Sequence, residues 1–186
     1  MIKKILALVM AGALAAGAAA LAAGAPKEAP KNDYVGAKKC MPCHSKVYKA
    51  WAGVKHAHAF ESLKATTPEQ LKAMNELLKT DVKEKPEIDA ACLGCHVTGY
   101  KQPGGYPAAD SLKNAALAAV GCEMCHGPGS QHLAVPMSNK EGRRKSVLAP
   151  TAETCKKCHT NAISPKFDFA ERSKKVHPVV AKVPAK

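Results

Sequence analysis

Large aromatic side chains are scarce in this chain. Its 186 residues include 1 Trp, 3 Phe and 4 Tyr. Aromatic side chains bury the largest apolar areas in protein cores, so this composition is thin for a conventional core. The length is that of a single domain once a leader is removed. We therefore expect that something other than aromatic side chains fills much of the interior.

Long apolar stretches are missing after residue 25, so the sequence predicts no membrane span there. At the N-terminus, two lysines precede an uncharged, alanine-rich stretch from Ile5 to Ala23. Ala20-Leu21-Ala22 and Ala23-Gly24-Ala25 are candidate cleavage triplets. This order is typical of a secretory signal peptide, which we predict for residues 1–25. The alternative is an uncleaved membrane anchor, which the weak hydrophobicity of alanine disfavours.

Acidic side chains are few, with 15 Asp and Glu against 28 Lys and Arg, so the formal net charge is +13. Basic chains can bind nucleic acid, but no nucleic-acid motif is visible, and an exported chain would meet none. We expect the positive charge to steer the chain towards an acidic protein partner. The densest basic cluster is Lys140-Glu141-Gly142-Arg143-Arg144-Lys145, for which an ordinary solvated loop is the alternative.

All eight cysteines belong to four copies of one motif, in which two cysteines with two residues between them precede a histidine. The copies are Cys40-Met-Pro-Cys43-His44, Cys92-Leu-Gly-Cys95-His96, Cys122-Glu-Met-Cys125-His126 and Cys155-Lys-Lys-Cys158-His159. Cys-x-x-Cys-His is the attachment signature of c-type haem. The two thiols bond to the haem vinyl groups, and the adjacent histidine binds the iron from one face. The sequence therefore predicts four covalently bound haem c groups, each with its motif histidine as an iron ligand.

Paired cysteines also occur in zinc sites and in disulfide frameworks. Neither use requires a histidine immediately after each pair, so the fourfold repetition favours haem. Haem attachment agrees with export, because c-type maturation takes place outside the bacterial cytoplasm. We therefore expect a periplasmic protein.

Four haems among the mature residues leave about 40 residues per haem. We predict a mainly α fold with long loops and little or no sheet, in which the four haems form much of the core. The predicted tetrahaem domain spans residues 38–180. A linker at residues 26–37 precedes it, and a flexible tail at residues 181–186 follows it.

Periodicity and capping signals predict the helices. Apolar residues recur at near-helical spacing from Ser45 to Lys64. Thr67-Pro68-Glu69-Gln70 has the pattern of a capping box with proline at the first helical position. Further expectations are a helix from Asp110 to Val120, a basic loop at residues 127–150, and a last helix that starts at Ser164-Pro165 and that Pro178 ends just after His177.

Four histidines lie outside the motifs, namely His56, His58, His132 and His177. Their number would allow four haems with two histidine ligands each, while a surface position is the alternative for any one of them. His56 and His58 would point about 200° apart on a helix, so they are not expected to serve the same face. Methionine is another haem ligand, but packing is the favoured role of Met74 and Met137.

Longer stretches around the motifs carry a further signal. One runs from Lys38 to Lys64 and includes Trp51, His56 and Glu61-Ser62-Leu63-Lys64. The others are Cys92 to Val97, followed by Gly104-Gly105-Tyr106, and Gly121 to Gly129. With the order of the four sites, they resemble the tetrahaem cytochrome c-554 family over about residues 36 to 180. The resemblance implies electron transfer between redox proteins; the best-known member accepts electrons from hydroxylamine oxidoreductase.

Carried over by position, the resemblance implies which histidines face each other across an iron. The implied pairs are His44 with His132, His126 with His177, and His159 with His56. The resemblance also implies that the second haem, on His96, is five-coordinate with an open face, and it gives His58 no ligand role. The loop between the third and fourth motifs and the segment after the fourth motif are shorter here than in the family.

We therefore interpret the chain as an exported electron carrier and not an enzyme, with a redox partner that is acidic at its docking face. Two alternatives stay open. One is reduction of a small molecule such as nitric oxide at the open second haem. The other is an electron-entry subunit docked on a larger oxidoreductase through the basic cluster.

Overall fold

The computed structural model describes residues 31–177 and consists of short helices joined by loops. The α-helices in this range are α1 (Ser45–Ala52), α2 (Ala59–Lys64), α3 (Pro68–Leu78), α4 (Ala90–His96), α5 (Ser111–Leu117), α6 (Cys122–His126), α7 (Ser130–Ala134), α8 (Lys140–Lys145), α9 (Ala152–Lys156) and α10 (Phe169–Val176). Three 3-10 helices are at Ala37–Lys39, Lys55–His58 and Pro86–Ile88. No strand occurs between residues 31 and 177, which confirms the predicted mainly α fold.

Helix α3 begins where the capping pattern predicts. The Thr67 hydroxyl accepts the backbone N–H of Gln70 at 3.3 Å, and the Gln70 side chain accepts the Thr67 N–H at 3.0 Å. Pro68 occupies the first helical position, where its missing N–H costs nothing. The helix ends at Leu78, and its C-cap Lys79 adopts a left-handed conformation with φ 54°.

The predicted helix from Ser45 to Lys64 is divided into three parts. Helix α1 ends at Ala52 with Gly53 as its C-cap, and Val54 is extended with φ −108° and ψ 160°. A 3-10 helix at Lys55–His58 then leads into α2. The break follows from tertiary contacts: the Trp51 indole N–H donates to the Val120 carbonyl at 2.9 Å, and the Val120 N–H donates to the His56 carbonyl at 3.0 Å. Both sides of the break are therefore hydrogen-bonded to the backbone of the same residue, Val120, which is far away in sequence.

Later parts of the chain also differ from expectation. Residues 127–150 contain α7 and α8 in addition to loop. The Asn139 side chain caps α8 by accepting the Gly142 N–H at 2.8 Å, a local signal that the basic composition obscured. The last helix starts at Phe169, capped by Asp168, rather than at Ser164-Pro165. The predicted stop at Pro178 lies outside the described residues.

The apolar core is small, as the scarcity of aromatic residues predicts. Its main cluster contains Phe60, Leu63, Leu93 and Val97, with Tyr106 packed against it. In the described part of the chain, the only large side chains that are fully buried belong to Leu117 and Val97. The cluster lies beside the second Cys-x-x-Cys-His motif, because Leu93 is inside that motif and Val97 follows it.

Residues 117–121 join three parts of the fold. Thr98, only 2% exposed, donates its N–H to the Leu117 carbonyl at 2.9 Å. Its hydroxyl donates to the Ala119 carbonyl at 2.6 Å and accepts the Gly121 N–H at 2.9 Å. Together with the bonds from Val120 to the α1 region, these contacts fix the start of the third motif against the first and second motifs.

Part of the predicted linker is bound to the domain. The Asp33 N–H donates to the Ser130 hydroxyl at 2.7 Å, and the Ser130 N–H donates to the Asp33 carbonyl at 3.1 Å. The Asp33 carboxylate also pairs with Lys113 at 2.9 Å. The predicted signal peptide, the first residues of the linker and the predicted tail lie outside the described residues. Between residues 31 and 177, none of the helices is both long enough and apolar enough to cross a membrane.

Candidate functional site

Each of the four motifs forms a helical turn that directs its two cysteines and its histidine to one side. Helix α4 contains the second motif and α6 contains the third. In the first motif the His44 N–H donates to the Cys40 carbonyl at 2.9 Å, and in the fourth the His159 N–H donates to the Cys155 carbonyl at 2.9 Å. Residues three and four positions apart share a helix face, so both thiols and the imidazole of each motif can reach one flat group.

The motifs meet through their cysteines. The thiols of Cys40 and Cys122 are close enough to shift each other's pKa, lowering that of Cys40 and raising that of Cys122, so the first motif adjoins the third. The thiols of Cys95 and Cys158 shift each other's pKa in the same way, lowering that of Cys95 and raising that of Cys158, so the second motif adjoins the fourth. Charge on Cys155 raises the pKa of the Cys125 thiol, a smaller effect than that of burial, so the third and fourth motifs are also close.

Three histidine pairs face each other across the fold. The ring centroids of His44 and His132 are 6.2 Å apart. Those of His126 and His177 are also 6.2 Å apart, and those of His56 and His159 are 5.9 Å apart. An imidazole nitrogen binds a transition metal at about 2 Å. Two imidazoles on opposite sides of one metal ion therefore have centroids about 6 Å apart, which is the spacing of all three pairs.

Several of these imidazoles are held by a hydrogen bond at Nδ1. His126 Nδ1 lies 2.9 Å from the Leu148 carbonyl, and His96 Nδ1 lies 2.7 Å from the Ala59 carbonyl. His132 Nδ1 contacts the Arg143 carbonyl at 2.9 Å, and His159 Nδ1 contacts the Ser164 hydroxyl at 3.0 Å. A carbonyl can only accept, so Nδ1 carries the proton where it faces one, and the lone pair is on Nε2. Ligand histidines in metalloproteins are oriented in this way.

Burial favours the neutral form of the paired imidazoles. Desolvation is the main cause that lowers the pKa of His44, His56, His126 and His159 below the usual value for histidine. In each of the three pairs, repulsion from the facing imidazole also lowers the pKa of one member, namely His44, His126 or His56. A histidine must be neutral to bind a metal, so the surroundings prepare these side chains for coordination.

His96 and His58 lie apart from these pairs. Within residues 31–177, no second aromatic ring is in contact with His96. His58 is exposed, and its Nε2 lies 3.1 Å from the Ala52 carbonyl. This contact turns the His58 ring towards the end of α1. The expectation that His58 and His56 point in different directions agrees with this arrangement.

The basic cluster is divided by the structure. Arg143 is half-buried; its guanidinium donates to the Val135 carbonyl at 2.7 Å and lies 3.3 Å from Nε2 of His132. Lys145 pairs with Glu141 at 2.7 Å on the surface of α8. Arg144 is exposed, with no hydrogen bond or ion pair of its side chain inside the described range. Arg143 is therefore part of the surroundings of the first motif and is not a free surface charge.

Glu123 is a residue that sequence reasoning missed. It lies inside the third motif and is only 4% exposed. Its carboxylate accepts backbone N–H groups from Val35 at 2.9 Å, Gly36 at 2.7 Å and Gly129 at 2.8 Å. It thereby fixes the segment before the first motif and the loop before His132. The two x positions of the motif vary in their chemistry, so the sequence carried no signal for this role.

The two other uses of paired cysteines find no support. No disulfide joins any of the eight cysteines. In the part of the chain that the structure describes, no group of three His, Cys, Asp or Glu side chains converges as a zinc site requires. Paired imidazoles with thiols beside them instead fit a flat metal complex that is bound at its edge and on both faces.

Comparisons with known proteins find similar cytochromes. A family described as "Cytochrome c554 and c-prime" matches residues 39–127. Cytochrome c-554 of Nitrosomonas europaea is 37% identical over an alignment of 154 residues, and the alignment covers 76% of this chain and 60% of that protein. The chain thus spans about 60% of the length of this curated relative. The solved structure of reduced cytochrome c554 from Nitrosomonas europaea matches with a TM-score of 0.56 and 28% identity, covering 78% of this chain and 83% of that one.

Proposed function

Because this chain belongs to the cytochrome c-554 family of tetrahaem c-type cytochromes with covalently bound haem, we propose that it carries electrons between redox proteins. Haem iron supplies the one-electron redox change. The observation that carries the proposal is the set of three histidine pairs with centroids 5.9 to 6.2 Å apart. An iron held on both faces by fixed imidazoles needs no ligand change when it gains or loses an electron, which suits a carrier.

We assign the two histidines of each facing pair as the ligands of one haem iron. His44 and His132 would hold the first haem iron, His126 and His177 the third, and His159 and His56 the fourth. The four haems would be attached by the eight motif cysteines, which are Cys40, Cys43, Cys92, Cys95, Cys122, Cys125, Cys155 and Cys158. His96 would hold the second haem iron from one face. The assignment is supported by the spacing of the rings and by the Nδ1 contacts of His96, His126, His132 and His159.

The contacts between motifs suggest an order for electron transfer. The first motif adjoins the third through Cys40 and Cys122. The third adjoins the fourth through Cys125 and Cys155, and the fourth adjoins the second through Cys158 and Cys95. Electrons would therefore pass along the order first, third, fourth, second. The first and second motifs are the two ends of this order.

A second function is favoured by one observation, the lack of a facing ring at His96 in the described residues. An iron with one open position can bind a small molecule such as nitric oxide, and electrons could reach it from the other three haems. This reductase activity would add to the carrier function. The third candidate, an electron-entry subunit docked through the basic cluster, is disfavoured because Arg143 and Lys145 are engaged within the chain.

The carrier is proposed to work in the periplasm after removal of residues 1–25. The alanine-rich N-terminal segment and the need for haem attachment outside the cytoplasm support this location. The partner is proposed to be a redox protein with an acidic docking face, because the net charge of the chain is strongly positive.

Carbon monoxide titration of the fully reduced protein tests the ligand assignment and separates carrier from reductase. Irons with two histidine ligands resist the gas, so binding should saturate at one molecule per protein. The His58→Ala variant should bind the same amount. No binding by the natural protein, with one site opened in His58→Ala, would make His58 the sixth ligand and leave a carrier without an open iron. One bound ligand without turnover of nitric oxide, when electrons are supplied, would rule out the reductase function.

A further inference from the structure

The positive charge around the first motif is not offset by acidic residues nearby in the sequence. Residues 34–60 contain five lysines and no Asp or Glu. Four of these lysines flank the motif itself: Lys38 and Lys39 precede Cys40, and Lys46 and Lys49 follow His44. All four are exposed, and none of them takes part in an ion pair in the described structure. We call Lys38, Lys39, Lys46 and Lys49 the lysine face.

Helix α1 explains why two of these lysines point to solvent. Lys46 and Lys49 are three residues apart and therefore share one side of the helix. Trp51 lies on a different side, where its indole N–H is bonded to the Val120 carbonyl at 2.9 Å. The helix is thus anchored to the fold by Trp51 and presents its lysines outward, beside His44.

The centre of the lysine face is apolar and belongs to the haem motif. Met41 is 43% exposed, and Pro42 and Cys43 are exposed as well. The cysteines of the other three motifs are all less exposed than Cys43. An apolar centre surrounded by a polar, solvent-accessible rim is common in protein–protein interfaces. An exposed attachment segment also brings the edge of a haem close to a docked protein.

We propose that the lysine face is the docking surface for an acidic redox protein, and that electrons enter or leave the chain at its first haem. The inference rests on the proposed carrier function and adds to it the surface, the charge of the partner and the haem. It moves docking from the basic cluster of α8, where two of the four basic side chains are engaged within the chain, to four lysines outside ion pairs in the described residues. It also sets the docking surface at the opposite end of the haem order from the proposed open iron on His96.

A pair of charge reversals with equal net charge tests the surface. Lys46→Glu with Lys49→Glu alters the lysine face. Lys72→Glu with Lys85→Glu is the control, since both of these lysines are exposed, outside ion pairs and remote in sequence from the first motif. Each double variant lowers the net charge by four. Reduction of the mature four-haem protein is followed by stopped flow, with two reductants: an acidic flavodoxin in its hydroquinone form and uncharged reduced lumiflavin.

The natural protein and the control should be reduced by flavodoxin at similar rates, and more slowly as salt rises, because charges are screened beyond about 10 Å at 0.1 M ionic strength. The lysine-face variant should be reduced at least about threefold more slowly at low salt and should depend less on salt. All three proteins should react alike with lumiflavin. Carbodiimide cross-linking should join flavodoxin to Lys46 and Lys49 and not to Lys72 or Lys85.

Equal flavodoxin rates in both double variants, or cross-links confined to Lys72, Lys85 or α8, would overturn the docking surface and leave the carrier function standing. Failure of flavodoxin and lumiflavin to reduce any haem of the natural protein would instead contradict the carrier function. A variant that has lost haem is recognised by its absorbance and mass. In that case the milder pair Lys46→Gln with Lys49→Gln is compared with Lys72→Gln and Lys85→Gln by the same measurements.

Discussion

Each proposed distal ligand belongs to a segment far in sequence from the motif that it faces. His132 faces His44, and His56 faces His159. The pairs therefore connect parts of the chain that are distant in sequence. Because iron coordination joins the two segments of a pair, one imidazole can influence both the spectrum of a haem and the stability of the domain.

Replacing His56, His132 or His177 singly by alanine should open one iron. The natural protein is expected to have one open iron, on His96, so each variant should have two. Carbon monoxide binding should rise from one to two molecules per protein, the high-spin signal should increase, and the midpoint of thermal unfolding should fall. His58→Ala is the control and should change none of these. If all three variants keep the low-spin spectrum of the natural protein, the ligand assignment is wrong.

Arg143 is expected to set the potential of one haem. Its guanidinium lies 3.3 Å from Nε2 of His132, and its carbonyl lies 2.9 Å from Nδ1. A positive charge beside an iron favours the reduced state. Arg143→Gln keeps the backbone carbonyl and removes the charge, so it should lower the midpoint potential of one haem by an amount on the order of tens of millivolts. The measurement is a spectroelectrochemical titration of all four haems.

Arg144→Gln is the matched control for Arg143, because it removes the same charge from the exposed side of α8. Its four potentials should stay close to those of the natural protein. Equal shifts in both variants would mean that only the net charge matters, and the specific role of Arg143 would be lost.

Glu123 should contribute strongly to stability. Its carboxylate accepts N–H groups from Val35, Gly36 and Gly129 at 2.7 to 2.9 Å while almost completely buried. Hydrogen bonds to a charged group contribute about 1.5 to 3 kcal/mol each, and a buried donor left unpaired costs a similar amount. Glu123→Gln cannot accept all three N–H groups as well, because its amide nitrogen is a donor. We expect the free energy of unfolding to fall by about 2 kcal/mol or more.

Guanidinium unfolding of the mature protein, followed by haem absorbance, measures this loss. Glu153→Gln is the control. It breaks an exposed pair with Lys156 at 3.1 Å, and such pairs contribute about 0 to 1 kcal/mol. A change for Glu123→Gln no larger than that for Glu153→Gln would show that the buried contacts do not stabilise the fold.

At the scale of helices, the local sequence predicted where a helix starts better than where a helix is interrupted. The capping box at Thr67 is a contact between residues three apart, so the sequence contains both partners. The break after α1 depends on Trp51 and Val120, which are 69 residues apart. Periodicity cannot detect such a bond, and it predicted one helix from Ser45 to Lys64. The histidine pairs, like the helix break, depend on contacts between residues that are far apart in sequence. Their membership followed from family resemblance, since no spacing rule connects His44 to His132.

Trp51→Phe should test the tertiary cause of the helix break. The change keeps an aromatic ring and removes the hydrogen bond to the Val120 carbonyl. A lost bond of this kind costs about 0.5 to 1.5 kcal/mol, and His56 should become less well ordered because Val120 also holds its carbonyl. Unfolding by guanidinium gives the energy, and the low-spin fraction reports on His56. Tyr48→Phe, in the same helix, is the control. A Trp51→Phe protein as stable as Tyr48→Phe would mean that the bond does not hold the break.

At the scale of the molecule, haem replaces much of the apolar core. The buried apolar residues in the described range are small in number: Ala37, Phe60, Leu63, Val82, Leu93, Val97 and Leu117. Small domains with so little buried area need a cofactor, a metal or disulfides to fold. The histidine pairs and the motif thiols take part in this through the haems. The scarcity of aromatic residues therefore correctly indicated that the polypeptide has a small apolar core, although it did not predict the position of any helix.

The chain without haem should scarcely fold. Expressed in the cytoplasm without residues 1–25, it is not expected to acquire covalent haem. Its conformational entropy would then be opposed by one small apolar cluster around Phe60 and Leu63. Far-ultraviolet circular dichroism should show much less helix than in the mature protein, and heating should give no cooperative transition. The mature protein, which should carry four haem masses by mass spectrometry, is the reference and should unfold cooperatively. A haem-free chain with the helical content and cooperative unfolding of the mature protein would contradict this prediction. The polypeptide core alone would then be sufficient for folding, without a contribution from the haems.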